Sequence, residues 1–269
     1  MLLSIRHTTT YSYDAPVTAA LQQVRLVPRS NTLQTVQDWQ LVFEGGREEL
    51  SFDDQFGNDT RLVSLEEDSQ QLRIIAQGLV EVHETNGVLG MVYGKAPLWL
   101  FRRETPLTTA GKGVKALLKA HKADLSKPET QVSALHALSS AIREKVAYEI
   151  NTTDTGTTAE DALVGGQGVC QDHAHIFCAA ARQAGIPARY VSGYLKLDNT
   201  VEQSASHAWA EAHVDGLGWV GFDISNGISP DDRYVRIGHG MDFRDCAPVL
   251  GLRKGGAMES MVVSLQVQQ

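Results

Sequence analysis

Two rhythms of apolar residues divide the chain. Over residues 1–85, β-prone stretches recur: Ser4–Ser12 is rich in Thr and Tyr, Leu21–Val27 is mostly apolar, and residues 39–43, 61–63 and 72–76 are short apolar runs. Asp14-Ala15-Pro16, Pro28-Arg29-Ser30-Asn31, Glu44-Gly45-Gly46 and Phe56-Gly57-Asn58-Asp59 supply turn chemistry between them. Short strands at this spacing predict a small antiparallel β-sandwich. Residues 86–104 read as a connection, punctuated by Gly and Pro between Asn86 and Pro97. The period then lengthens to three and four. Thr109–His121 carries Ala110, Val114, Leu117, Leu118 and His121 on one face, and Gln131–Val146 carries Val132, Leu135, Leu138, Ile142 and Val146. Thr157-Thr158-Ala159-Glu160 is a capping-box pattern opening a short helix that Gly165-Gly166 stops. The expected layout is a β domain over 1–85, a connection over 86–104, a core of helices and then mixed structure over 105–250, and a C-terminal strand segment over 251–269.

Composition narrows the class. Hydrophobic residues make up 42% and charged residues 21% of the 269, as in an ordinary globular protein. No apolar run is long enough to span a bilayer, and the N-terminus turns polar before a signal-peptide core develops, so a cytoplasmic protein without membrane contact is expected. Net charge is −8, with 7 basic and 13 acidic side chains in residues 1–100 and 17 and 19 in the remainder. A nucleic-acid partner, which needs a basic face, is not expected. Phosphate loops, dinucleotide fingerprints and EF-hand patterns do not occur, so no cofactor or calcium is expected.

Three cysteines cannot all pair, and their number is too small for a disulfide framework. Gly168-Val169-Cys170 precedes a window with Ala174, Phe177, Cys178, Ala181 and Ala184 on one face, ending at Gly185-Ile186-Pro187. Cys170 is therefore expected at a helix N-terminus, where free N–H groups and the helix dipole favour a thiolate and can donate to an oxyanion. Gly166 and Gly168 would let a substrate backbone approach. The alternative is a small buried apolar residue. Cys178 reads as core, and Cys246 has neither helix start nor base beside it.

A nucleophilic thiol needs a base, and the base an orienting group. Ser206–Val214 alternates like a half-buried strand, and Trp219–Ile224 is a natural return strand. A three-residue loop, 215–217, pairing Val214 with Gly218, would set Asp223 diagonal to His207 on one face; an unbulged two- or four-residue loop would separate them. A strand histidine can equally be a structural group satisfied by its neighbours. His213 is a rival base, placed beside the turn. A metal cluster of Cys170, His173 and His175 is disfavoured, because helical residues two apart diverge by about 200°, and no metal is expected. His173 instead falls one turn from Cys170, at the rim of the site.

These blocks resemble the transglutaminase-like superfamily, specifically its bacterial members with a β-rich domain before the catalytic core. The resemblance runs through Gly168-Val169-Cys170-Gln171-Asp172-His173-Ala174-His175, Ala181–Leu195, His207-Ala208-Trp209-Ala210-Glu211 and Gly218-Trp219-Val220-Gly221-Phe222-Asp223, and in the N-terminal part through Tyr11-Ser12-Tyr13, Pro16-Val17, residues 25–29 and Phe56-Gly57-Asn58. It implies an α+β fold: a papain-like core with a helical layer against an antiparallel sheet, preceded by a small β-sandwich domain. It further implies Cys170 as nucleophile, His207 as base and Asp223 as orienter, attacking a peptide or amide carbonyl to give a thioester. Water resolves the thioester in a peptidase or amidase, and a primary amine in a transamidase. An idle module that uses the fold for binding is the remaining reading. Candidates for oxyanion or substrate contacts are Gln167, Gln171, Tyr148, His173 and Trp209. In one departure, the family commonly continues from the aspartate with Pro-Thr, whereas this chain has Ile224-Ser225-Asn226-Gly227.

Overall fold

The computed structural model describes residues 1–15, 17, 19–66, 69–92, 94–254 and 258–269, with Ala19 as backbone only. Pro16, which ends the first expected turn and belongs to one resemblance block, lies outside the described residues. So do Tyr93 of the expected connection and residues 255–257 of the C-terminal segment.

The N-terminal region runs through β1 (Leu2–Tyr13), β2 (Ala19–Val27), β3 (Gln34–Glu44), β4 (Gly46–Asp53), β5 (Asp59–Leu65) and β6 (Gln71–Val82). Then follow β7 (Val88–Gly90), α1 (Lys112–Lys119), α2 (Lys122–Leu125), α3 (Gln131–Lys145), β8 (Ala147–Tyr148), α4 (Ala159–Gly165), β9 (Gln167–Gly168) and α5 (Cys170–Gln183). The chain ends with β10 (Ala188–Leu195), β11 (Glu202–Gln203), β12 (His207–Val214), β13 (Gly218–Phe222), β14 (Tyr234–Gly240), α6 (Phe243–Cys246), β15 (Val249–Lys254) and β16 (Glu259–Gln268).

Alternation in β1 buries Leu3, Ile5, His7, Thr9, Tyr11 and Tyr13 and leaves the intervening residues more accessible, as a strand with one wet face requires. β4 has no such signature. Only its first residue is buried, because it is the edge strand of its sheet. The sandwich stacks the sheet β11-β16-β1-β6-β3 on the sheet β15-β2-β5-β4, around Tyr11, Tyr13, Val24, Leu26, Val63, Leu72 and Ile74. The C-terminal segment does not stand apart: β16 pairs antiparallel with β1, and β15 with β2. Both ends of the chain thus build one layer.

A third antiparallel sheet, β14-β10-β12-β13-β7, carries the helices on one face. Its interior strand β10 is buried along its whole length. α5 packs on this face with Ala174, Phe177, Cys178 and Ala181 against Ala208, Ala210, Ala212 and Phe222, and α1, α3 and α4 cover α5 from outside. Glu160 differs from its expected part in a capping box. Thr158 caps α4 by accepting from the Asp161 N–H, while the Glu160 carboxylate accepts from Gly113 N–H (2.6 Å) and Val114 N–H (3.0 Å) at the start of α1.

Sandwich and core are joined by an apolar layer, Leu3, Ile5, Val80, Val82, Leu265 and Val267 against Tyr194, Val235 and Ile237. Polar side chains complete the seam. Gln34 donates to Arg236 O and accepts from Arg236 N–H, both at 2.8 Å, and Asn58 does the same with His239 at 2.8 and 3.0 Å.

Candidate active site

Cys170 is the first residue of α5, so its N–H and those that follow have no acceptor within the helix. The start of the helix is tied down locally. The Asp172 carboxylate accepts from Val169 N–H at 2.8 Å and from Thr153 Oγ1–H at 2.6 Å, securing the loop before α4 to the head of α5. Gly168 is needed for this arrangement, because a Cβ there would lie 2.8 Å from Asp172. Gly166, at φ +72, ends α4 in the left-handed region. Both glycines thus serve the fold of the segment.

The hairpin that carries the other two side chains adopts the three-residue loop. Val214 pairs with Gly218 and Ala210 with Phe222, which sets Asp223, one residue past β13, diagonal to His207 at the head of β12. His207 Nε2 lies 2.7 Å from Asp223 Oδ2. A carboxylate can only accept, so Nε2 carries the hydrogen and Nδ1 is left for the sulfur. The Cys170 thiol interacts with the imidazole and raises its pKa.

Asp223 is fully buried. Besides the imidazole it accepts from Tyr234 Oη–H and Asn226 Nδ2–H at 2.7 Å, and from Asn226 N–H at 3.1 Å. Burial by itself pushes its carboxyl up. The hydrogen bonds from His207, Asn226 and Tyr234, with the imidazole's charge, outweigh that and hold it below the ordinary carboxylate range. For His207, burial is the strongest single influence and lowers its pKa. Its bonds to Asp223 and Cys170 and the charges of both together reverse the sign and push it up to about 10. A folded-state value above the unfolded 6.5 means that the stability due to His207 is fully present below 6.5 and is lost as pH rises through about 10. Thermal melts of wild type and His207→Gln should therefore converge across that interval.

Asn226 and Tyr234 were not singled out from the sequence. Asn226 was detectable. Ile224-Ser225-Asn226-Gly227, where the family commonly has Pro-Thr, folds back on the aspartate, with Gly227 N–H donating to Asp223 O at 2.8 Å, and Asp followed by Asn-Gly is a turn signature. Tyr234 comes from β14, on the far side of β10 from β12, and only the sheet brings it there.

Of the side chains expected to contact oxyanion or substrate, Tyr148 interacts with Cys170. The parallel pairing of β8 with β9 sets it beside Gly168. Partial desolvation of this half-exposed side chain, followed by the charges of Cys170 and Asp223 and its interaction with Cys170, pushes its phenol up to about 12. The two glutamines are directed elsewhere: Gln167 Nε2–H donates to Glu149 Oε2 (2.6 Å) and Gln171 Nε2–H to Asp154 O (3.3 Å). His173 is buried rather than at the rim. Its Nε2–H donates to Val146 O at 3.0 Å, leaving Nδ1 to accept from Ser225 Oγ–H at 2.8 Å. Trp209 is buried behind the site, edge-on to Tyr234 and 6.3 Å from the His207 ring. His175 Nε2 accepts from Phe243 N–H, and His213 packs edge-on against Trp219 at the far end of β12. Among the described residues, no group of three His, Cys, Asp or Glu side chains is arranged to hold a metal.

Cys170 is partly accessible, whereas Cys178 and Cys246 are buried. Burial pushes the Cys178 thiol up to about 11 and the Cys246 thiol well above its ordinary range. His207 and Tyr148 open onto a cleft of about 490 Å³ walled by Ile150, Leu197, Glu202 and Asn226.

An uncharacterised protein of Mycobacterium leprae, ML0607, is 30% identical over 275 residues, which covers 98% of both chains. Residues 3–81 match the bacterial transglutaminase-like N-terminal region, and residues 119–224 match the transglutaminase-like superfamily. The chain belongs to the transglutaminase-like superfamily. An uncharacterised Mycobacterium tuberculosis protein, Rv2569c, is 26% identical over 98% of this chain and 91% of its own. A crystal structure from Cytophaga hutchinsonii, described as a candidate cysteine protease, superposes over 100% of this chain and 91% of that one with a TM-score of 0.77 at 23% identity. At that identity it establishes the shared α+β transglutaminase-like fold.

Proposed function

We propose that this transglutaminase-like protein is a cysteine-dependent hydrolase of amide or peptide bonds that works through a thioester, with Cys170 as nucleophile, His207 as base and acid, and Asp223 as the histidine's positioning residue. The observation that carries this reading is the imidazole held between an accessible sulfur at a helix start and a buried, fully hydrogen-bonded carboxylate. The thiol proton passes to His207 as sulfur attacks the carbonyl carbon. The resulting oxyanion is met by the Cys170 N–H and the Tyr148 hydroxyl. The C–N bond then breaks, and the amine leaves with the proton from the imidazolium. Water, giving a proton to His207, attacks the thioester, and the acid departs as the thiol is restored. The description of the Cytophaga protein accords with this chemistry.

Two expectations test the roles. Tyr148→Phe should lower kcat by about a hundredfold with little change in KM, as loss of one oxyanion donor does. Limited iodoacetamide treatment with peptide mapping should modify Cys170 and spare the buried Cys178 and Cys246; earlier labelling of either would remove the basis for choosing Cys170. The deciding experiment is a panel of peptide and carboxamide substrates assayed with and without an added primary amine. Acid product in both arms fits hydrolysis. A new amide that grows with amine concentration would replace hydrolysis by transamidation, and no turnover on any substrate would leave the binding-module reading.

A further inference from the structure

Glu211 lies on the face of the central sheet opposite α5, by alternation with Ala210 and Ala212. Its carboxylate accepts from Arg189 Nε–H at 2.5 Å and from Arg236 Nε–H at 3.0 Å. The side chains of Arg189, Arg236 and Glu211 are 4%, 12% and 2% exposed. One carboxylate thus serves two guanidiniums, and among the described residues neither arginine has a second acidic group within ion-pair distance. Among the described residues, the Nη2 of each arginine is buried without a hydrogen-bond partner, as is Nδ1 of His239. Arg189 gains a stacking contact, its Cζ lying 3.9 Å from the Trp219 ring centre, but that contact satisfies no N–H. Both arginines and His239 line a cavity of about 200 Å³ between the sandwich and the sheet, with Arg29, Ser30 and Asn31 at its wall. Arg29 is already paired with Asp53. A surplus positive charge on side chains so little exposed is costly, and water in the cavity would satisfy N–H groups without neutralising it.

We propose that this cavity binds a small oxyanion, a phosphate or a carboxylate, gripped between the guanidiniums of Arg189 and Arg236 at the junction of the two domains. Planar guanidiniums suit either group. Burial, and after it the charge of Arg236, push Arg189 down to about 9 against the opposing pull of Glu211, in accord with a pair of cations short of counter-charge. The site stands independently of the reaction assigned to Cys170.

The test is the melting temperature of the intact protein titrated with sodium phosphate and, separately, sodium acetate, each against sodium chloride at equal ionic strength. A saturable rise with either oxyanion beyond the chloride effect is expected. A response to phosphate alone identifies the phosphate class, and a response to acetate the carboxylate class. Arg236→Gln should weaken that affinity about tenfold or more, the loss of a charge-assisted contact, while Arg189 keeps Glu211 paired. Indistinguishable behaviour in the three salts, or unchanged affinity in the variant, overturns the site. Should Arg236→Gln fail to fold, wild-type crystals soaked in selenate and, separately, in bromoacetate decide: an anomalous selenium or bromine peak between Arg189 and Arg236 supports the proposal, and neither in that cavity overturns it.

Discussion

Cys170→Ala is expected to reduce amide turnover by at least about 10⁴-fold while leaving the melting temperature close to that of wild type. The sulfur sits at the accessible head of α5, at the margin of the apolar cluster that holds the helix to the sheet. Its removal opens no cavity in the packed interior, so the loss should fall on chemistry alone. It also removes one of the groups that push the His207 imidazole upward, the hydrogen bond and charge of Cys170. NMR titration of that ring should therefore show a lower pKa in the variant. Thiol-dependent turnover surviving in Cys170→Ala would transfer the reaction to another residue and void the assignment.

Asp223→Asn is expected to cost about 10³–10⁴ in kcat/KM and, unlike the cysteine variant, to cost stability as well. The buried carboxylate accepts from four donors on three residues. An amide at that position offers one acceptor oxygen and brings two new donors. His207, Tyr234 and the Asn226 side chain all bond Oδ2 and the Asn226 N–H bonds Oδ1, so the amide either turns an N–H toward the first three, and His207 loses the bond that fixes its tautomer and tilt, or leaves the Asn226 N–H facing one. A buried donor left unpaired is worth about 1–3 kcal/mol, so denaturant midpoints should fall together with activity. His207, relieved of its counter-charge, should titrate far below its wild-type value. Tyr234→Phe removes one donor and spares the imidazole bond, so its effect on both readouts should be smaller. Equal activity of Asp223→Asn and wild type would show that the carboxylate has no part in positioning the histidine.

Much of this site was legible because its local constraints are short-range. The start of α5 follows from an apolar stripe that begins just after Gly168 and ends at Gly185-Ile186-Pro187. The relation of His207 to Asp223 reduces to the parity of a loop, since strand side chains alternate with a period of two, and the hairpin adopts the odd loop that puts both on one face. The edge strand β4 left no trace in the hydrophobic pattern, because a strand with little buried surface needs no apolar face. Glu160 illustrates the reverse error: its spacing from Thr157 fits a local cap, yet its carboxylate serves the N-terminus of α1, far away in sequence.

By itself the sequence determined a part of the elements: which of the periodic stretches are strands or helices, which cysteine heads a helix, and which histidine and aspartate can share a hairpin face. These depend on periodicity and turn chemistry within a few residues. The tertiary structure alone decided that Tyr234 of β14 completes the shell around Asp223, that Tyr148 rather than either glutamine meets the sulfur, that the last strands close the first domain, and that two arginines and one glutamate are buried together behind the sheet. Each of those contacts joins segments distant along the chain. They form only when burial of the apolar faces brings the layers together, and apolar burial is non-directional, so it leaves no residue-by-residue record of which polar partners will meet.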